Sequence, residues 1–249
     1  MAQLSVAKAR KTYPGAQEAA LDDVDLTVED GESYVILGPS GSGKSTLLRS
    51  IAGLENLDSG EVRLDGSPLA ESSERLAMVF QDAALYPWLT VSQNIALSGR
   101  FSKNRDRLSD TTVDDLLGTL GLRHLKDAYP EQLSGGQAQR VAVGRALALT
   151  PDVLLLDEPL SALDPATRED LQGWLRDLMR RLSLTCITVT HDVDEATALA
   201  DRVGFFDGPG GFSQEWSVNR DQASPEADPG ALTASIRGYY RQARGDYSI

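Results

Sequence analysis

Gly38-Pro39-Ser40-Gly41-Ser42-Gly43-Lys44-Ser45 follows the continuous apolar run Tyr34 to Leu37 and leads into Leu47, Leu48 and Ile51 at helical spacing. Strand, glycine-rich loop and helix in that order predict an α/β core. The loop wraps backbone N–H groups around phosphates, and the following helix points its positive end at them. The glycines allow close approach of the anion, Lys44 neutralises the β- and γ-phosphates, and Ser45 offers its hydroxyl to Mg²⁺. Gly38, Pro39, Ser40, Gly41, Ser42, Gly43, Lys44, Ser45 and the adjoining Thr46 are therefore the nucleotide-binding candidates. Such a match arises by chance in roughly one chain in a hundred of this length. The alternative, a flexible glycine turn, leaves the flanking strand and helix unexplained.

Outward from this loop the pattern is that of a parallel sheet interrupted by helices. Val24, Leu26 and Val28 alternate with polar residues, and Glu61 to Leu64 runs into the hairpin signal Asp65-Gly66. Gly53 marks a left-handed helix end, and Leu76 to Phe80 reads as a strand ending at Gln81. The period then changes: Val113, Leu116, Leu117 and Leu120, and later Ala138, Val141, Ala142, Ala146 and Leu149, recur at helical spacing. Strands return at Val153 to Leu156 and at Thr185 to Thr190, separated by a helix from about Thr167 to Leu182. A turn at Asp207 to Gly211 leads to a short strand and a last helix near Ala231 to Arg244. The expected fold is a phosphate-loop NTPase core, RecA-like, with an N-terminal antiparallel β subdomain and an inserted α-helical subdomain. One domain spans 1–249: core at about 1–81 and 151–218, insert at about 82–150, helical tail at about 219–249.

Val153-Leu154-Leu155-Leu156-Asp157-Glu158 is an apolar strand ending in two carboxylates, which a parallel sheet delivers to the edge that carries the phosphate loop. Asp157 suits the metal shell through water, and Glu158 suits polarisation of an attacking water. Leu133-Ser134-Gly135-Gly136-Gln137 opens a helix, giving an anion site of amides and a hydroxyl with no cation of its own. That suits a γ-phosphate already held elsewhere, and the N-cap role of Ser134 is compatible with it.

Length and charge bound the rest. The 249 residues suffice for a full core, and no apolar run approaches the roughly 20 residues of a membrane helix. A net charge of −13 opposes nucleic acid and bare anionic lipid, so membrane attachment is expected through a protein partner. Met1 to Arg10 lacks an export-signal layout and Cys186 has no partner cysteine, so a cytosolic setting is expected.

Taken together, these motifs resemble the ATP-binding subunit of ABC transporters over about Leu4 to Val218. By that resemblance Tyr13 stacks on adenine, Gln81 senses the γ-phosphate and Mg²⁺ beside the membrane partner, and His191 contacts the γ-phosphate. Ser161 to Asp164 forms a loop across a dimer, Asp164 being a cofactor contact. The expected catalytic set is Glu158, His191, Gln81 and Lys44, and the expected metal set is Ser45, Gln81 and Asp157.

The resemblance implies a head-to-tail pair of chains around ATP and Mg²⁺. It also implies a separate integral permease, an extracytoplasmic substrate-binding protein, and a place on the cytoplasmic face of the membrane. Asp82 to Val91 borders the permease groove in that family, while Tyr86, Trp88 and Leu89 are equally readable as core of the insert. Leu85 and Pro87 to Val91 resemble the nitrate, sulfonate and taurine importer branch. The tail after Val218 is short for the regulatory domain of some sugar importers.

An exporter subunit is one alternative. A chromosome-maintenance head is opposed by the absence of sustained heptads between Ser45 and Ser134. A ribosome-associated factor is opposed by the single phosphate loop, and a small-molecule kinase leaves Leu133 to Gln137 unexplained.

Overall fold

The structure, a computed structural model, describes residues 2–69, 73–100, 110–218 and 229–246. Its strands are β1 Leu4–Lys11, β2 Leu21–Val28, β3 Ser33–Leu37, β4 Ser59–Leu64, β5 Ser67–Pro68 and β6 Leu76–Val79. After the helical stretch come β7 Val153–Asp157, β8 Thr185–Thr190, β9 Arg202–Gly208 and β10 Gly211–Ser217. The helices are α1 Lys44–Ile51, α2 Val91–Ile95, α3 Asp110–Thr119, α4 Gly135–Leu147, α5 Pro165–Leu182, α6 Val193–Leu199 and α7 Pro229–Asp246.

Two sheets organise these elements. β2-β1-β4-β5 is an antiparallel sheet, and β10-β9-β3-β8-β7-β6 is a mixed one in which β9 through β6 run parallel. The unbroken apolar runs of β3 and β7 follow from burial on both faces. Val35, Leu37, Leu154 and Leu156 point into one core with the helical layer. Tyr34, Ile36, Val153 and Leu155 point into the other, beneath α1 and the antiparallel sheet. β2 is covered on one side only, and its Leu21, Val24, Leu26 and Val28 are buried between exposed neighbours, as the alternation predicts.

Asp65 and Gly66, both at positive φ, turn β4 into β5, and Gly53 takes a positive φ just past α1. One expectation is corrected: Leu149 lies beyond α4. That helix closes at Leu147, and Thr150 takes a left-handed φ of 49° in the turn that feeds β7.

Of the tail, 219–228 and 247–249 lie outside the described residues. α7 packs on the core: Ile236 is buried, and Tyr239 and Tyr240 meet Phe205 edge-on with centroids 5.1 and 5.5 Å apart. Cys186 is buried, and burial pushes its thiol up to about 12, so it behaves as a small apolar side chain.

Candidate active site

Strand order assembles the site. β3, β8, β7 and β6 are consecutive neighbours and all parallel, so the segments leaving their carboxyl ends lie along one edge. Those segments are the phosphate loop after β3, His191 after β8, Asp157 and Glu158 at β7, and Gln81 two residues beyond β6.

The phosphate loop is shaped by close approach. A Cβ at Gly38 would sit 2.1 Å from the Phe206 carbonyl oxygen, and one at Gly43 would sit 2.4 Å from that of Ala20. Gly43 also holds a φ of 105° as the N-cap of α1, so only glycine fits there. In consequence α1 has no side-chain cap and no acid in its first turn. The other helices whose N-caps are described, α2, α4, α5 and α6, are capped by Thr90, Ser134, Asp164 and Asp192. The first-turn amides of α1 and its dipole are thus left for an anion. Ser42 Oγ, buried without a hydrogen-bond partner, belongs to the same cradle.

Lys44 is buried, and its Nζ donates to the Pro39 carbonyl at 2.6 Å. Burial lowers its ammonium to about 8 against the opposing pull of Glu158 and Asp157. A phosphate in the loop would hold that charge in place. Ser45 Oγ donates to Asp157 Oδ1 at 2.9 Å, pairing two hard oxygen ligands on one spot. No cluster of three or more His, Cys, Asp or Glu able to hold a metal occurs among the described residues. A hydroxyl and a carboxylate, with phosphate and water supplying the rest, fit Mg²⁺, which keeps several waters and needs few protein ligands.

Glu158 takes a left-handed φ of 47° immediately after β7, while its amide donates to Val189 of β8 at 3.0 Å. This turns its carboxylate toward His191, whose Nδ1 lies 3.2 Å from Glu158 Oε2. Positive φ in a long side chain is strained, and the neighbouring strand holds it there. Tyr13 is 36% exposed, and its hydroxyl lies 3.3 Å from Thr46 Oγ1, so the ring stands beside α1.

Ser134 to Gln137 open α4 and do not follow any of these four strands. Ser134 and Gln137 form a reciprocal capping box, with Gln137 N to Ser134 Oγ at 3.3 Å and Ser134 N to Gln137 Oε1 at 2.9 Å. A Cβ at Gly135 would meet Leu163 at 2.9 Å, and one at Gly136 would meet Thr167 at 2.8 Å. These glycines therefore also let α4 abut the start of α5. Asp164 caps α5 through Thr167 N at 3.1 Å, and hydrogen bonding holds its exposed carboxyl below the usual range.

Several contributors carry no motif. Arg49 lies 3.8 Å from Asp157 Oδ2; its place four residues after Ser45 on α1 is a signal for that contact. The guanidinium of Arg145 on α4 grips the carbonyls of Ala83 and Ala84 at 3.0 and 2.9 Å, anchoring the segment after Gln81. Buried Asn94 donates to the carbonyls of Tyr86, Leu89 and Thr90 and accepts from Tyr86 N. Leu89 goes inside, whereas Tyr86 and Trp88 are 41% and 69% exposed, edge to face at 5.3 Å. The braced segment thus presents aromatics outward.

The sequence pattern of the ABC transporter family matches residues 21–161, more than half of the chain. The chain belongs to the ABC transporter family. Within that family it is 48% identical over 203 residues to the sulfate/thiosulfate import ATP-binding protein CysA of Nocardia farcinica, covering 80% of this chain and 61% of that protein. It is 48% identical over 187 residues to a probable sulfate/thiosulfate import ATP-binding protein CysA of Chlorella vulgaris, covering 74% and 79%.

The chain thus spans about 60% of the length of relatives such as the Nocardia protein. The names do not support the nitrate, sulfonate and taurine branch expected from Leu85 and Pro87 to Val91. Among solved structures, a dimeric ATP-binding cassette in a post-hydrolysis state bound to ADP and Pi matches with a TM-score of 0.71 at 32% identity, covering 87% of this chain and 99% of the other. CbiO1 of Clostridium perfringens, part of the ABC transporter complex cbiONQ, matches at 0.77 and 28%, covering 94% and 92%. No helix among the described residues is long and apolar enough to cross a membrane.

Proposed function

We propose that this chain hydrolyses ATP as the nucleotide-binding subunit of an importer, working in pairs at the cytoplasmic face of the membrane beneath a separate permease. The observation that carries the reading is the edge formed by four adjacent parallel strands, with an uncapped helix aimed at an anion at one end and Glu158 beside His191 further along.

In this reading Gly38 to Thr46 cradle the phosphates, Lys44 neutralises them, and Tyr13 packs on the adenine. Ser45 and Asp157, with Gln81, hold Mg²⁺, which when bound offsets charge building on the phosphoryl oxygens. Glu158 orients the water for in-line attack, and His191 fixes Glu158 and approaches the γ-phosphate. Ser134 to Gln137 of a second copy close over that phosphate, with Asp164 crossing the same interface. ATP then favours the closed pair, and its hydrolysis releases it.

The exposed Tyr86 and Trp88, braced by Arg145 and Asn94, suit the permease contact, with 82–150 as the helical subdomain. A cargo of the sulfate or thiosulfate kind, delivered by an extracytoplasmic binding protein, agrees with the names of the relatives.

Glu158→Gln tests the chemistry. It should leave ATP binding intact, lower turnover at least about a hundredfold, and accumulate an ATP-bound dimer on size-exclusion chromatography. Turnover at the wild-type rate would remove Glu158 from its role.

A further inference from the structure

One side chain outside these motifs joins the two loops that meet at the reacting edge. Arg168 lies in the first turn of α5, where the helix dipole opposes a cation, and its side chain is only 29% exposed. Its Nη2 donates to the Leu163 carbonyl at 3.0 Å, and its Nη1 lies 3.4 Å from Asp192 Oδ2. Leu163 belongs to the loop after Glu158, and Asp192 to the loop after His191.

Each loop is fixed to its reactive residue. Ser161 donates from Oγ at 3.0 Å and from its amide at 3.3 Å to the Glu158 carbonyl. Asp192 follows His191 directly, its amide donates to Thr190 Oγ1 at 3.0 Å, and its Oδ1 caps α6 by accepting from the amides of Asp194 and Glu195 at 2.8 and 3.2 Å. The His191 to Glu158 approach of 3.2 Å closes the circuit.

We infer that Arg168 is a positioning residue for hydrolysis: its guanidinium straps the Ser161 to Asp164 loop to Asp192 and thereby sets the separation of His191 from Glu158. The planar fork is suited to this because it donates to a carbonyl and a carboxylate in different directions at once, which a lysine does less well. The strap also gives the loop proposed to meet the second copy a mechanical route to His191. A shift of Leu163 on closure pulls Arg168, and Arg168 pulls the residue that follows His191.

The inference rests on the ATPase reading, and one set of measurements separates the two. Steady-state hydrolysis, binding of a fluorescent ATP analogue and thermal unfolding are compared for wild type, Arg168→Ala, Arg168→Lys, Asp192→Asn and the Arg168→Ala/Asp192→Asn pair. Asp192→Asn keeps an oxygen for the α6 cap while removing the charge that faces Arg168. Arg168→Ala and Asp192→Asn should each lower kcat about tenfold, with KM for ATP and analogue affinity held within about twofold, and Arg168→Lys should recover part of the loss. The double variant should be no slower than the slower single, because both break one connection. Losses that multiply in the double variant, or wild-type kcat in a folded single variant, overturn the strap. Where Arg168→Ala does not fold, Asp192→Asn and Arg168→Lys decide by the same kcat criterion. Failure of the wild-type chain to hydrolyse ATP would instead defeat the ATPase reading.

Discussion

Glu195, in the first turn of α6 just behind His191, ties the stability of this edge to pH, and Glu195→Gln isolates its contribution. The carboxyl is 2% exposed; Oε2 accepts from Thr190 Oγ1 at 2.7 Å, and Oε1 is buried without a hydrogen-bond partner. Burial is the main cause of its raised pKa, Asp192 and Glu158 add to it, and the Thr190 hydroxyl and Arg168 oppose it. The balance pushes the carboxyl from 4.5 up to about 7. The unfolded chain gives up this proton near the ordinary value and the folded chain only near neutrality. The contribution to stability is therefore complete below pH 4.5 and is lost as pH rises through 7. At ~1.4 kcal/mol per pH unit the full loss is ~3 kcal/mol, of which ~2.5 kcal/mol falls between about pH 5 and pH 8.

Glutamine keeps an acceptor for Thr190 and does not titrate. Placing its amide where Oε1 lacked a partner adds a cost that does not vary with pH. Urea unfolding of both proteins across this range should show the stability difference moving toward the variant by ~2.5 kcal/mol as pH rises. A difference constant to within ~0.5 kcal/mol would refute the reasoning, because it would mean the buried carboxyl ionises alike in both states.

Tyr13→Ala should weaken ATP affinity about tenfold with little change in kcat, as measured by fluorescent-analogue binding beside steady-state rates. Gly38→Ala should destabilise the chain by ~3 kcal/mol or more, since the added carbon would lie 2.1 Å from a backbone oxygen; its thermal midpoint checks this. In mixed dimers, Ser134→Arg should silence the phosphate-loop site of the opposite copy. Loss confined to its own copy would end the shared-site arrangement.

Local pattern made much of this molecule legible. The apolar runs of β3 and β7, the alternation of β2, the Asp65-Gly66 turn and the phosphate loop all depend on neighbours within a few residues. Sheet order did not read out the same way, because placing β8 between β3 and β7 is a long-range pairing that no window of sequence records. The missing cap of α1 acquires meaning only beside the capped helices. Arg145, Asn94 and Arg168 carry no local signal, because each acts on backbone carbonyls or a carboxylate distant in sequence or hidden by the turn between them. The even choice at Tyr86, Trp88 and Leu89 resolved by residue, with Leu89 turning inward and the two rings facing outward. Leu149 keeps the helical spacing yet lies past α4, because spacing alone does not register where a helix gives way to a turn.

The strand that carries the phosphate loop, β3, is bordered by β8 on one side and β9 on the other, and both lie more than 140 residues later in the chain. A ribosome that has translated as far as Leu184 has therefore released the loop without either of its walls. Both hydrogen-bonding edges of an apolar strand remain open until β8 and β9 emerge, which is a standing invitation to aggregate and a reason for chaperone demand.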